Sequence, residues 1–113
     1  MPQTVHLVFK THLDIGFTDY AASVVRTYHE QFIPGALRLA AQTRDTPNRF
    51  RWTVGAWLIY DHLEQASSEG RRAMEQAIAA GDIIWHALPF TTHTELMDES
   101  LFRFGLSYAQ RLD

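Results

Sequence analysis

Two short polar segments of the sequence carry the residues best suited to chemistry, and each follows an apolar run. His12 and Asp14 belong to the first segment, and His93 and Glu95 belong to the second. Residues two apart in an extended segment project to the same side, so the side chains of His12 and Asp14 can converge on one metal ion while Leu13 points into packing. A neutral imidazole and a carboxylate suit Zn²⁺ or another divalent cation, which then needs further ligands. The alternative is that His12 bonds a backbone carbonyl and Asp14 caps a turn.

The second polar segment, residues 91–99, is expected to lie beside the first. Parallel strands joined by crossovers point their carboxyl ends the same way, so segments that follow such strands meet at one edge of the sheet. We therefore expect His93 to be an additional metal ligand and Glu95 to supply a catalytic carboxylate. Asp98 is the second candidate for that carboxylate, but an acid at the start of a helix is already favoured by capping.

Aromatic side chains near the predicted strand ends are suited to stack on the faces of a sugar. The candidates for this role are Phe17, Trp57 and Phe90, and most other rings are expected in the core. The sequence contains no glycine-rich phosphate loop and no serine in a nucleophile elbow. His29 and His62 lie inside predicted helices, where nothing in the sequence supports a function.

Composition excludes several classes of partner and site. The 113 residues include 10 Lys or Arg and 13 Asp or Glu, for a net charge of -3. Lys10 is the only lysine, so no basic field is available for nucleic acid. The chain has no cysteine, which leaves His, Asp and Glu as the strong metal ligands. No apolar run approaches the roughly 20 residues that span a bilayer, and the start does not read as a signal peptide, so we expect a cytoplasmic protein with no membrane partner.

Three runs of β-branched and aromatic residues read as strands. They are residues 5–10 (VHLVFK), 50–55 (FRWTVG) and 82–88 (DIIWHAL). The first run is apolar almost throughout, which is typical of a strand that is buried on both faces of a parallel sheet. Strands that alternate with helices predict right-handed crossovers, and the fold class is therefore α/β with a parallel sheet.

Apolar residues at three- and four-residue spacing predict the helices. The first helix covers residues 19–43, with Thr18 as its N-cap and a bend or break at Pro34. Later helices are expected over residues 57–64, from Ser67 or Ser68 to Gly81, and over 98–112. Three strands make only part of a barrel, and the apolar pattern of the last helix runs to the final residues. We therefore interpret residues 1–113 as the N-terminal part of a larger β/α-barrel domain, which packs against the remainder of its chain or self-associates.

The order and spacing of these motifs resemble the N-terminal catalytic domain of the family 38 glycoside hydrolases, the zinc-dependent retaining α-mannosidases, in a divergent branch. The resemblance rests on His12 and Asp14 after the first strand, on residues 49–52 (RFRW), and on residues 79–85 (AAGDIIW). It implies a seven-stranded β/α barrel in which the first strand supplies a His and an Asp to zinc. It also implies a further Asp after the third strand, as ligand and nucleophile, and a distant His that completes the site.

The segment after the third predicted strand departs from the family pattern. It lacks the Gly-Gly-Trp loop of the family, and counting from Gly81 places the family's aspartate near Thr94 and its glutamate near Glu95. The resemblance therefore implies a displaced or replaced nucleophile, for which Glu95 is the first candidate. It implies a carbohydrate substrate without fixing the sugar.

Three functions are open on the sequence. The first is a metal-dependent retaining glycosidase of the α-mannosidase type. The second is a metal-dependent polysaccharide deacetylase, which activates water directly on its metal. The third is a non-catalytic carbohydrate-binding remnant. For residues 1–113 alone we expect no activity, because the general acid and the last metal ligand are not identified within them.

Overall fold

The computed structural model of the chain describes Met1 and residues 3–113, and at its centre lies a small parallel sheet. Its strands are β1 (Phe9–Lys10), β2 (Trp52–Gly55) and β3 (Ile83–His86). They lie in the order β1-β2-β3, and in the ladder Phe9 pairs with Trp52, which pairs with Ile83. The predicted α/β class with a parallel sheet is therefore confirmed.

Helical segments fill the connections between the strands and follow the last strand. They are α1 (Ala21–Thr27), a π-helical turn (Tyr28–Phe32), α2 (Ile33–Thr43), α3 (Ala56–Gln65), α4 (Ser68–Ala79), a 3₁₀ turn (Thr94–Leu96) and α5 (Glu99–Leu112). Helix α4 contacts both α2 and α3, and α5 contacts α3. Within the described chain, every helix is too short or too polar to cross a membrane.

One hydrophobic core joins the helices to one face of the sheet. Trp52 and Val54 of β2 lie two residues apart and project to the same side as Ile83 of β3, and all three are buried. They pack with apolar side chains from the surrounding segments, namely Leu13, Tyr28, Ile33, Leu58, Ile59, Met74 and Ala77. The opposite face carries Lys10 and Ile84, which are exposed. The helices therefore cover one face and leave the other face open.

The first strand is shorter and more exposed than the sequence predicts. Only Phe9 and Lys10 pair with β2, and the side chain of Val5 is 86% exposed. The prediction that residues 5–10 are buried on both faces is therefore wrong for the described chain. The physical reason is that β1 lies at the edge of the described sheet and has β2 as its one neighbour. Apolar composition alone does not provide the surfaces that would bury it.

The first helical stretch follows the predicted range but differs at its start and its middle. Thr18 is not the N-cap, because the carbonyl of Tyr20 accepts the N–H groups of Ser23 and Val24 and begins α1. The predicted break at Pro34 takes the form of the π-helical turn that immediately precedes α2. Proline has no N–H group, and its ring clashes with the carbonyl four residues earlier, so a widened turn accommodates it without ending the helix.

The later helix boundaries agree with the sequence. The side chain of Ser67 accepts the N–H of Gly70 at the start of α4. Gly81 follows the end of this helix with a φ of 70°, a left-handed conformation that favours glycine. Asp98 caps α5, as the acid before the apolar pattern predicts. Local capping chemistry is therefore enough to fix these ends.

A buried ion cluster lies at the amino end of the strands. Asp82, which is 0% exposed, accepts hydrogen bonds from Arg44 Nε (3.0 Å), Arg44 Nη2 (2.6 Å) and Arg49 Nη2 (2.9 Å). Burial acts to raise the pKa of Asp82, but the hydrogen bonds and charges of Arg44 and Arg49 outweigh burial and hold that pKa below its usual value. Because these residues follow α2 and precede β2 and β3, the cluster ties three elements together away from the carboxyl edge.

Candidate functional site

The carboxyl edge of the sheet carries the first predicted pair of ligands. We call residues 11–14 and 87–95, which follow β1 and β3 at this edge, the rim. Within the rim, Nε2 of His12 lies 2.9 Å from Oδ1 of Asp14. Leu13, between them, is buried in the core. The alternation that the sequence predicts is therefore confirmed, and the His12 and Asp14 side chains meet outside the core.

The segment after β3 holds His12 from its other side. Nδ1 of His12 lies 3.2 Å from Oγ1 of Thr91. When Nε2–H donates to Asp14, Nδ1 accepts the hydroxyl proton of Thr91, so both ring nitrogens are engaged. Histidines that bind metals are usually oriented through their second nitrogen in this way. The contact also brings the two polar segments to one edge, as the parallel sheet requires.

Backbone contacts fix the second half of the rim against the end of β2. The N–H groups of Ala56 and Trp57 donate to the carbonyls of Leu88 and Pro89, at 3.2 and 3.1 Å. Gly55 makes this approach possible, because a Cβ atom there would lie 2.2 Å from the carbonyl oxygen of Pro89. A glycine at the end of β2 is therefore needed for the segment around Pro89 to pack this closely against the strand.

His93 and Glu95 do not join His12 and Asp14. They pair with each other, with Nδ1 and Oε1 3.5 Å apart, and their side chains are 80% and 72% exposed. Among the described residues, no three His, Asp or Glu side chains group closely enough to hold a metal ion. The expected convergence of the four residues is therefore not found, and His93 stands apart from the predicted ligand pair. The reason is that several residues separate His93 from the end of β3, so strand direction no longer fixes where it points.

The two candidate carboxylates have different surroundings. Asp98 accepts the N–H of Leu101 (2.8 Å) and the hydroxyl of Ser100 (2.7 Å), and these bonds lower its pKa. The pKa of Glu95 is lowered by its own backbone N–H and then by His93. Both acids are therefore ionised at neutral pH, which suits a nucleophile and not a general acid. Asp98 already serves as a helix cap, whereas Glu95 has no such structural task.

Two of the three predicted sugar-stacking rings lie together. The rings of Trp57 and Phe90 are half-buried and nearly perpendicular, with centroids 5.7 Å apart. Phe17 is 85% exposed in the turn between β1 and α1. Phe90 belongs to the rim, and the bond from the Trp57 N–H to the Pro89 carbonyl places Trp57 beside it, while Phe17 projects into solvent. Their contact with sugar stays a prediction.

The donor set fits a divalent cation in part. Zinc bonds of about 2.0–2.2 Å place neighbouring nitrogen and oxygen ligands roughly 3.0–3.5 Å apart. The 2.9 Å between His12 and Asp14 is close to that range, and a shift of a few tenths of an ångström in the exposed His12 ring would open it. The described residues therefore offer two ligands of one site and lack the third and fourth that zinc requires.

Sequence reasoning missed a second cluster, which lies between helices away from the rim. His29 Nε2 lies 2.8 Å from Asp61 Oδ2, and His29 Nδ1 lies 2.9 Å from Nδ1 of His62. Burial, and then His29, lower the pKa of His62. The local signal is weak, because His29 and His62 are 33 positions apart. Only the packing of α3 against the π-helical turn brings them together.

Comparisons of the chain with protein-family models, with curated proteins and with solved structures give no match. The similarity to the family 38 glycoside hydrolases stays a prediction from the motifs.

Proposed function

We propose that residues 1–113 form the first part of a β/α-barrel glycoside hydrolase of the α-mannosidase type, which cleaves a glycosidic bond with retention and holds a divalent cation at the sugar site. The observation that carries this proposal is the contact between His12 and Asp14 at the carboxyl edge of a parallel sheet. Barrel and doubly wound α/β enzymes bind their ligands at this edge. The resemblance to family 38 assigns the same two positions to zinc.

The barrel in this proposal rests on surface that the described residues leave uncovered. Val5, Leu7 and Val8 are exposed beside β1, and one face of the sheet carries no helix. In a closed barrel, further strands pair with both edges of the sheet and the open face becomes the interior. The remainder of the chain is the proposed source of these strands. Without them, the exposed edge and apolar surface favour self-association.

His12 and Asp14 are the proposed ligands of the cation, and Thr91 positions His12 by holding its Nδ1. A bound Zn²⁺ supplies Lewis-acid polarisation of sugar hydroxyl groups. The rings of Trp57 and Phe90 then offer apolar surface to one face of the sugar. In this arrangement the rim selects a polyhydroxylated ligand, because the polar groups orient hydroxyls while the rings pack against C–H groups.

Glu95 is the proposed nucleophile, and Asp98 is the second candidate. The Glu95 carboxylate would form a bond to the anomeric carbon as the bond from that carbon to the leaving oxygen breaks. A carboxylic acid from a later strand would protonate the leaving oxygen and then deprotonate the water that releases the sugar. For retention, that acid must lie about 5–5.5 Å from the nucleophile. The lowered pKa of Glu95 supports the ionised form that attack requires.

A metal-dependent polysaccharide deacetylase is the second candidate, since it also uses His and Asp ligands on a β/α barrel and attacks with a metal-activated water.

The experiment that distinguishes these functions uses a protein that carries residues 1–113 within its complete barrel. It is assayed with an aryl α-mannoside and with an acetylated polysaccharide, before and after the metal is removed by a chelator. Release of mannose that depends on Zn²⁺ and falls by orders of magnitude in Glu95→Gln supports the glycosidase. Release of acetate supports the deacetylase. A protein that binds the sugar and releases neither is the carbohydrate-binding remnant.

A further inference from the structure

A groove between two helical layers lies outside the rim, and Trp57 is the one residue of its lining that the proposed glycosidase uses. Its volume is about 1050 Å³. Segments α1, the π-helical turn and α2 form one wall, and α3 and α4 form the other. Apolar side chains such as Val25, Leu37, Trp57 and Ala73 line much of it. A large apolar groove with a few convergent polar groups is typical of a small-molecule site.

The polar groups of the groove form a directed chain of hydrogen bonds. The Asp61 carboxylate can only accept, so Nε2–H of His29 donates to Oδ2 across 2.8 Å. In a neutral ring, Nδ1 of His29 then carries a lone pair and accepts Nδ1–H of His62 across 2.9 Å. This leaves Nε2 of His62 without a proton. With His29 neutral, one carboxylate therefore sets the tautomer of both rings.

The unprotonated Nε2 of His62 is the open end of this chain. His62 is 5% exposed, and it lines the groove. Gly70 of α4 lies opposite, and a Cβ atom there would sit 3.9 Å from Nε2. A side chain at position 70 would therefore contact this nitrogen, and glycine leaves that side of His62 without one. The last group of this hydrogen-bond chain is thus an acceptor on a residue that lines the groove.

Two further observations fit a ligand site. His29 belongs to the π-helical turn Tyr28–Phe32, and such turns are rare and are frequently found at functional sites. The charged side chains around the groove have both signs, namely Arg26, Glu30, Arg38, Asp61 and Glu69. Two arginines and three carboxylates leave a net charge of -1, so the field that would select an anion or a cation is weak. The groove therefore favours a neutral ligand.

We propose that this groove binds a neutral, largely apolar ring compound whose hydroxyl group donates a hydrogen bond to Nε2 of His62, and that Asp61 and His29 hold this nitrogen in its acceptor form. The apolar wall, which includes Trp57, packs against the ring of the ligand, and Nε2 of His62 accepts the hydrogen bond of its hydroxyl group. Asp61 and His29 are positioning residues, because of these three side chains His62 alone bonds the ligand hydroxyl.

The test uses 2-naphthol and 2-methoxynaphthalene as probes, since the two share a ring system and only the first donates a hydrogen bond. Calorimetric titration of the 113-residue chain is expected to give about tenfold tighter binding of 2-naphthol, which corresponds to one hydrogen bond to a buried acceptor. His62→Phe, which keeps an aromatic ring, is expected to remove this preference. His6→Ala, an exposed histidine outside the groove, is expected to keep it.

A readout on the unmodified chain keeps the proposal testable if His62→Phe does not fold. Nitrogen-15 NMR of the histidine rings is expected to show His62 protonated at Nδ1, with its Nε2 signal shifting when 2-naphthol is added. Acidification to the point where His62 is protonated is expected to abolish the preference, because Nε2 then becomes a donor. Equal binding of the two probes, no binding of 2-naphthol, or a His62 ring protonated at Nε2 would overturn the proposal.

Discussion

The ion cluster around Asp82 leads to the most quantitative stability prediction. Replacing Asp82 with Asn removes the charge and leaves one oxygen where two oxygens accept three hydrogen bonds from Arg44 and Arg49. Both Arg44 bonds end on Oδ2 and the Arg49 bond ends on Oδ1, so the Asn oxygen keeps one of these sets and one or two bonds are lost. Hydrogen bonds to charged groups contribute about 1.5–3 kcal/mol each, and removing the charge also weakens the bonds that remain. Arg44 and Arg49 are partly exposed, so water can replace some of the lost hydrogen bonds and reduce the loss of stability. We expect a loss of about 3 kcal/mol, near the lower limit for breaking a buried pair.

This loss is measured by urea and thermal unfolding followed by circular dichroism. For a domain of this size, about 3 kcal/mol corresponds to a fall in Tm of roughly 12 °C. The matched control is Arg103→Gln, which removes the exposed pair between Arg103 and Glu99 in α5 and should cost about 0.5 kcal/mol at most. If Asp82→Asn costs no more than Arg103→Gln at pH 7, the assignment of the cluster as a structural clamp is wrong.

The same cluster predicts a pH dependence. The pKa of Asp82 is lower in the folded chain than its ordinary value of 3.8, so the ionised form stabilises the fold above that value. As the pH falls below 3.8 and through the folded pKa, the unfolded chain takes up the proton first and the stabilisation is lost. The difference in unfolding free energy between the unmodified chain and Asp82→Asn should therefore shrink on acidification. A difference that grows at low pH would contradict this sign.

Two further substitutions test the rim and the helix that follows it. Gly55→Ala forces a Cβ atom to within 2.2 Å of the Pro89 carbonyl oxygen, so Pro89 must shift, and amide NMR shifts in residues 87–91 should change while those of α4 do not. Unchanged shifts at Pro89's neighbours would show that the contact is absent. Asp98→Ala removes the cap of α5 and should lower Tm by a few degrees, whereas Glu95→Gln should leave Tm unchanged. The reverse order of these two Tm changes would transfer the structural role to Glu95.

The sequence predicts those parts of the fold that local chemistry determines. Ser67 and Asp98 begin their helices through side-chain caps, and Gly81 ends α4 through its left-handed conformation. Each of these signals acts within a few residues and needs no tertiary contact. The length of β1 and the exposure of Val5 depend instead on which neighbours cover them. Composition does not contain that information.

In the candidate site, too, some residues are positioned by local structure and others by tertiary packing. His12 and Asp14 are predictable because strand alternation fixes which residues share a side, and Leu13 in the core agrees with it. His93 lies in a segment without that periodicity, so the expectation that it reaches the pair had no local constraint. The His29–His62 contact depends on the crossing of two helical segments, which sequence spacing does not encode. Pairwise tertiary packing is therefore what the sequence leaves open.

The most direct test of the proposed function is whether the rim holds a divalent cation through His12 and Asp14. Calorimetric titration with Zn²⁺ of a protein that carries residues 1–113 within its complete barrel is compared with the same titration of its His12→Ala and Asp14→Ala variants and of the control His6→Ala. The proposal predicts one site that weakens by about tenfold or more in each rim variant and is unchanged in His6→Ala. Zinc binding that is the same in all four proteins, or absent from the unmodified chain, would contradict it.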